Sequence, residues 1–226
     1  MISLCGRYTL LADELQVRQR FNIPHEIKDY FPSYNIAPSQ QVLAVIHDGK
    51  DRRAGFLQWG LIPAWAKDEK IGYKMINARS ETAHVKPSFK NLMARKRCLI
   101  IADSFYEWQK TEEGKIPKRI QLKNRELFAF AGLWDKWQHK DKTLFTCTIL
   151  TKDSDGFMKE IHHRMPIILP KDKEDMWIKQ SFSHAKHAQQ FLHDIQMEPL
   201  SAYTVSKFVN NARNNDVACI EPITNH

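Results

Sequence analysis

Three residues stand where chemistry is possible. Cys5 lies in Met1-Ile2-Ser3-Leu4-Cys5-Gly6-Arg7-Tyr8, so near the chain's start that a short cleavage makes it the terminal residue. A terminal cysteine is a 1,2-aminothiol: its thiol, of ordinary pKa about 8.5, and its amine, of about 7.7–8.0, are both partly reactive near neutrality. The competing use of such a cysteine is as a small apolar filler. Glu107 sits in Phe105-Tyr106-Glu107-Trp108, where flanking aromatics strip water from a carboxylate and raise its pKa toward the range of a general acid or base. Strand alternation offers the opposite outcome, a Glu107 that faces solvent. His162 stands where a helix hands over to the strand containing Pro166, and an imidazole there can shuttle protons near pH 7. On pattern alone His163 is its equal.

Arginines and aromatics form a second group. Arg7, Arg79 and Arg164 fall beside these residues or in the same kind of junction, and planar guanidinium groups suit phosphate oxygens. Trp59, Trp65, Trp108 and Phe89 offer faces for nucleobases, where stacking contributes roughly 1–3 kcal/mol per base. Core packing competes for each of them. Metal binding has less support: His184 and His187 are spaced to share a helix face, with His193 beyond, but no carboxylate or cysteine completes a ligand set. Eight glycines leave little material for a phosphate-cradling loop.

The elements that must hold these residues are mostly strands. Val42 to Ile46 and Ala54 to Trp59 read as a hairpin through Asp48-Gly49. Further strands are predicted at Arg7 to Leu10, Cys98 to Ala102, Phe105 to Gln109, Pro117 to Leu122, Leu127 to Leu133, Leu144 to Thr151, Ile167 to Leu169, Leu200 to Ser206 and Val217 to Ile220. Hairpin spacing among them argues for a closed or strongly curved antiparallel sheet. Helices are expected over Leu11 to Phe21, from a Ser88 cap to about Ala94, from Ser154 to Ile161, over Lys171 to Lys179 and over Ser183 to Asp194. Tyr34 to Ser39 reads as a loop, since Pro38 pushes Ala37 out of the helical region. The fold class is α+β, one domain on a mostly antiparallel barrel-like sheet with peripheral helices.

The totals narrow the class. At 226 residues, 42% hydrophobic and 27% charged, the chain can bury a substantial core and is neither disordered nor fibrous. No apolar run reaches membrane-span length and no signal-peptide core is present, so a cytosolic location is expected, as bacterial cytosol or nucleoid-associated if the chain is bacterial. Cys98, Cys147 and Cys219 lie in apolar strand-like surroundings without any Cys-x-x-Cys, which favours buried filler over a zinc or disulfide framework. The net charge of +8, combined with the arginines and loop aromatics, favours a single-stranded polyanion as partner.

Taken together, Cys5-Gly6-Arg7-Tyr8, Tyr34-Asn35-Ile36-Ala37-Pro38, Trp59-Gly60-Leu61-Ile62-Pro63, Asn77-Ala78-Arg79-Ser80-Glu81, Phe105-Tyr106-Glu107-Trp108, His162-His163-Arg164-Met165-Pro166 and the late Val205-Ser206 with Asn210 closely resemble the SOS response-associated peptidase family. Members of that family sense abasic sites and crosslink to DNA. The resemblance implies a curved β-barrel-like fold, single-stranded DNA containing abasic sites as partner, no cofactor, no metal, no membrane, and a monomer. It also implies the site. Cys5 is the nucleophile, Asn77 orients its amine or the sugar, Glu107 is the acid/base for N-terminal processing and imine formation, and His162 assists sugar ring opening. Arg7, Arg79 and Arg164 hold flanking phosphates, while Pro38 and Trp65 contact or wedge against exposed bases. One departure stands out: family members begin Met-Cys, whereas here Met1 to Leu4 precede the cysteine. Residues 1–4 are expected to be removed as an extension, leaving 5–226 as the domain. The alternatives are a start-site artefact or a masked, noncovalent single-stranded nucleic-acid binder, and a thiol peptidase acting on other proteins is a further competing function.

Overall fold

The computed structural model describes residues 6–179 and 182–223. Cys5 and the extension before it lie outside the described residues. In chain order the strands are β1 (Tyr8–Leu10), β2 (Ser33–Ile36), β3 (Gln41–His47), β4 (Arg52–Trp59), β5 (Asn77–Arg79), β6 (Arg97–Ala102), β7 (Ser104–Thr111), β8 (Gly114–Leu122), β9 (Phe128–His139), β10 (Lys142–Asp153), β11 (Arg164–Pro166), β12 (Ile168–Leu169) and β13 (Leu200–Thr204). The α-helices are α1 (Glu14–Phe21), α2 (Ser80–Ala83), α3 (Lys90–Arg95), α4 (Met158–Ile161), α5 (Lys171–Lys179) and α6 (Ala185–His193).

Five strands close on themselves. β10 pairs with β4, β4 with β3, β3 with β6 and β6 with β9, and β9 returns to β10 through an antiparallel ladder running from Lys142↔His139 to Ile149↔Gly132. Closure removes the edges that would otherwise invite aggregation. β4 and β5 both run parallel to β10, an arrangement that local hairpin spacing does not foretell. β6 is buried along its whole length, as its continuous apolar run requires of a strand covered on both faces. Gly132 permits the approach of its neighbour, because a Cβ there would lie 2.7 Å from Cys98 Sγ.

A second, five-stranded antiparallel sheet has the order β13-β8-β7-β1-β2. It packs on the barrel through rings: Tyr8 meets Trp59 at 5.4 Å and Phe130 at 5.7 Å between centroids, and Phe105 meets Phe130 at 6.0 Å, all edge-to-face. Beneath them is a polar knot in which Thr9, Asp103, Ser104 and Arg119 satisfy one another, with Arg119 Nε 2.7 Å from Ser104 Oγ.

Four local expectations are corrected. Ser33–Ile36 is strand rather than loop, because Ile36 finds Tyr8 across β1, a pairing invisible to local propensity. Val217–Cys219 is a 3₁₀ turn rather than strand, because Asp216 Oδ1 accepts from Ala218 N at 2.8 Å and turns the chain there. Ser88 does not cap α3; Phe89 occupies that position, and its amide already bonds Lys86 O at 3.0 Å. α1 begins at Glu14 rather than Leu11 because Asp13 and Gln16 form a reciprocal capping box.

Candidate functional site

β1 begins three residues after Cys5. β1 lies between β7 and β2, with Tyr8 opposite Phe105 on one side and Ile36 on the other. Tyr106 N donates to Arg7 O at 2.9 Å. The β1–β7 pairing thus continues to Arg7, whose partner Tyr106 adjoins Glu107.

Glu107 is 1% exposed, which decides between the two readings of its alternation. Both faces of β7 are covered here: Phe105 faces the barrel, while Tyr106 packs under Val205, Val209 and Cys219. A carboxylate in such a place exists only with partners, because burial of an unpaired charge is costly. Lys118 is its register partner on β8.

Asn77 opens β5 and sits opposite Ile149 of β10. Buried Trp59 joins its segment to the start of β1: the indole Nε1 donates to Ile76 O at 2.9 Å while the ring lies against Tyr8. Trp59 O also accepts from Ser39 N at 2.8 Å, which holds the turn carrying half-buried Pro38. Trp59 is thus core, and it is the hub through which the Tyr8, Pro38 and Asn77 segments meet. Phe89 is likewise buried, Trp108 is half-buried with Nε1 on Asn210 Oδ1 at 2.7 Å, and Trp65 alone of the four is 61% exposed.

His162 follows α4. Gln109 Nε2 of β7 donates to Glu160 O at 3.0 Å, which ties this helix to the strand of Glu107. His162 Nδ1 is 3.0 Å from Arg164 O and 3.2 Å from Arg164 N, so its own chain fixes the ring. Nε2 is buried with no hydrogen-bond partner among the described residues. Burial, and then the neighbouring His163, hold the imidazole below its ordinary value, against the raising effect of the Arg164 contact. The ring is therefore neutral at pH 7, with one nitrogen available for a proton.

The three arginines divide. Arg79 is exposed at the end of β5. Arg7 is half-buried, with Nη1 on Asn35 Oδ1 (3.0 Å) and Val209 O (2.8 Å) and Nη2 on Asn210 O (3.1 Å). Arg164, with a side chain 5% exposed, grips Glu81, Asp153 and Thr151 O. The phosphate role expected of Arg164 does not suit a guanidinium already spent on two carboxylates, and its geometry is that of an internal clamp. Two partners escaped the sequence reading, Glu81 and Asn35. The signal was present in both cases: an arginine followed by Met165-Pro166-Ile167-Ile168 needs a buried counter-charge, and an asparagine inside a strand needs acceptors. Asn35, 1% exposed, gives its amide to Val209 O, Asn211 O and Asn214 O and so pins the C-terminal segment over β1.

None of the described cysteines is a nucleophile. Cys98 and Cys147 are buried and their thiols are pushed well up by burial, and burial also raises that of Cys219. Among the described residues no group of three or more His, Cys, Asp or Glu is arranged to hold a metal, and no helix is long and apolar enough to cross a membrane.

Fold and motif segments together define the class: the chain belongs to the SOS response associated peptidase (SRAP) family, whose sequence profile matches residues 4–212. Among its relatives is the abasic site processing protein YoqW of Bacillus subtilis (strain 168), 47% identical over 222 residues, which cover 96% of this chain and 99% of that protein. The abasic site processing protein HMCES of Xenopus tropicalis is 35% identical over 226 residues, covering 86% of this chain and 67% of that one. A Bacteroides thetaiotaomicron protein of known crystal structure superposes with a TM-score of 0.87 at 26% identity, over 97% of this chain and 100% of the other.

Proposed function

We propose that this protein captures abasic sites in single-stranded DNA covalently, through Cys5 once residues 1–4 have been removed. The observation that supports the reading is the pairing of β1 with β7, in which Tyr106 N, next to the buried carboxylate of Glu107, donates to the carbonyl of Arg7, two residues along the chain from Cys5. Names of the relatives agree with abasic-site processing.

The chemistry balances without an outside oxidant or reductant. Hydrolysis of the Leu4–Cys5 bond consumes one water and frees the α-amine, with Glu107 moving the proton. His162, neutral and with a free nitrogen, assists opening of the abasic sugar to its C1′ aldehyde. The amine adds to that carbon and water leaves, giving an imine. The thiol then adds across the C=N bond, sulfur to carbon and proton to nitrogen, and closes a thiazolidine. Holding amine and thiol on one carbon skeleton makes this last step intramolecular, with a high effective molarity. Asn77 orients the amine or the sugar, Arg79 takes a phosphate, and Pro38 and Trp65 meet the bases. Arg7 and Arg164 keep the surrounding segments in place.

The test is a denaturing gel of the protein with a single-stranded oligonucleotide carrying an abasic site, together with intact mass. A shifted band is expected for wild type, absent in Cys5→Ala and slowed in Glu107→Gln. A fully active protein whose mass retains Met1 to Leu4 would overturn the aminothiol mechanism. Salt-sensitive binding with no covalent band would replace it with a noncovalent binder.

A further inference from the structure

The outer face of the second sheet carries a cavity that the chemistry above does not use. On β8, Ile120 and Leu122 turn to the core, so alternation sends Arg119 and Gln121 to the opposite face, where β13 sets Tyr203 and Ser201 beside them. Glu107 pairs with Lys118 and so lies on the core side of the same sheet. The cavity measures about 740 Å³ and is separate from the lesion site. Small-molecule sites span roughly 300–1,000 Å³.

Its walls differ in kind. Leu11, Leu127 and Pro222 are apolar, Gln16 and Gln121 end in carboxamides, and Arg125 brings a guanidinium. Asp103 and Arg119 also line it and neutralise each other at 3.3 Å. Arg119 donates as well to Ser104 Oγ at 2.7 Å and to Tyr203 Oη at 2.6 Å, which fixes that wall. Arg125 makes no ion pair among the described residues, so the lining keeps one positive charge without a counter-charge. Its φ of +58°, a conformation uncommon outside glycine, is held by the bond from Arg125 N to Leu122 O at 2.9 Å. Gln16 Oε1 accepts from Asp13 N at 3.0 Å, which leaves its amide hydrogens for a ligand. The half-buried Gln121 carboxamide makes no hydrogen bond among the described residues.

These features select a ligand. One forked guanidinium takes one anionic group, and a phosphate suits it. Lys123 and Glu126 flank Arg125, both exposed and opposite in charge, so no basic track for a polyanion leads from it. A carboxamide combines donor and acceptor, the pattern that meets an adenine edge through two bonds. Apolar walls accept the uncharged body of the molecule. We infer that this cavity binds a free nucleoside monophosphate, its phosphate on Arg125, its base edge on Gln121 and Gln16, and its ring among Leu11, Leu127 and Pro222. The site stands independently of lesion capture.

Titration of the full chain with 2′-deoxyadenosine 5′-monophosphate, followed by calorimetry and by NMR, tests it without any crosslink. Binding should saturate at one molecule per chain with a dissociation constant below about 1 mM. The amides of Leu11, Gln16, Gln121 and Arg125 should shift, while the imidazole resonances of His162 should not. Arg125→Gln, at an exposed position, should keep the unfolding midpoint and weaken binding by about tenfold or more. 2′-Deoxyadenosine, which lacks the phosphate, should bind wild type as weakly. Gln121→Leu should erase any preference for the adenine monophosphate over thymidine 5′-monophosphate. Absence of saturation, shifts at His162 in place of the cavity amides, or equal affinity of wild type and Arg125→Gln would each overturn the site. So would displacement of the monophosphate by a single-stranded oligonucleotide lacking terminal phosphates, since the cavity would then serve a strand.

Discussion

Arg164 and Glu81 form a two-pronged ion pair, with Nη1 2.7 Å from Oε1 and Nη2 2.9 Å from Oε2. Glu81 follows the Asn77–Arg79 strand, and Arg164 follows His162, so the pair fastens the two segments that carry the polar groups of the site. Asp153, its amide on Glu81 Oε1 at 3.2 Å, is the third member.

Removing the carboxylate leaves a buried guanidinium short of a partner. Because Glu81 is itself 42% exposed, the cost is well below that of a fully buried pair, and Glu81→Ala should lose about 1–2 kcal/mol in chemical denaturation. Burial pushes the Glu81 carboxyl up, but its bonds to Arg164 outweigh this and hold it below its ordinary 4.5. The folded state thus binds this proton less readily than the unfolded chain. The stabilisation is present above pH 4.5 and lost as pH falls through the lowered value. Arg164→Lys should not rescue, since a point charge cannot replace the fork.

Glu107→Gln keeps the shape of a buried side chain while removing its capacity to shuttle a proton. The crosslinking rate should fall by about 10²-fold or more with the unfolding midpoint little changed. Equal crosslinking by the two proteins would remove Glu107 from the mechanism.

His162 should titrate below 6.5, readable from its imidazole C–H resonances by NMR. Burial disfavours the charged ring, so its contribution opposes the folded state as pH falls through 6.5 and is absent above it. A midpoint above 6.5 would contradict the desolvated environment.

Asn35→Ala should destabilise by about 2–3 kcal/mol, because Arg7 and three backbone carbonyls lose a buried partner together. Hydrogen exchange should show the loss of protection concentrated in residues 207–215, the segment Asn35 pins.

Trp65→Ala should leave stability within about 0.5 kcal/mol, its ring being largely outside the core. Single-strand binding should weaken by about 1–3 kcal/mol, the value of one stacked base.

Much of the frame was legible because it rests on local signals. Asp48-Gly49 turns the β3–β4 hairpin with Gly49 at φ +100°, and α5 occupies Lys171–Lys179 as its pattern predicts. Buried Cys98 and Cys147 follow from their apolar runs. Illegible were the pairings between distant segments: Ile36 with Tyr8, β5 with β10, and the return of Asn210 over β1. Loop length and side-chain period carry no record of which distant strand will become a neighbour.

The sequence by itself determined the family and the candidates. Order of the motifs along the chain carries the first, and the motifs single out Cys5, Asn77, Glu107 and His162 for the second. Tertiary structure alone decided the environment of each described group. The same alternation that allowed Glu107 to face water buries it, because it shares with Phe105 the side of β7 that faces the barrel. Three arginines of one chemical type become one exposed cation and two internal clamps, because burial and the nearest carboxylates, not residue identity, settle what a guanidinium can still bind.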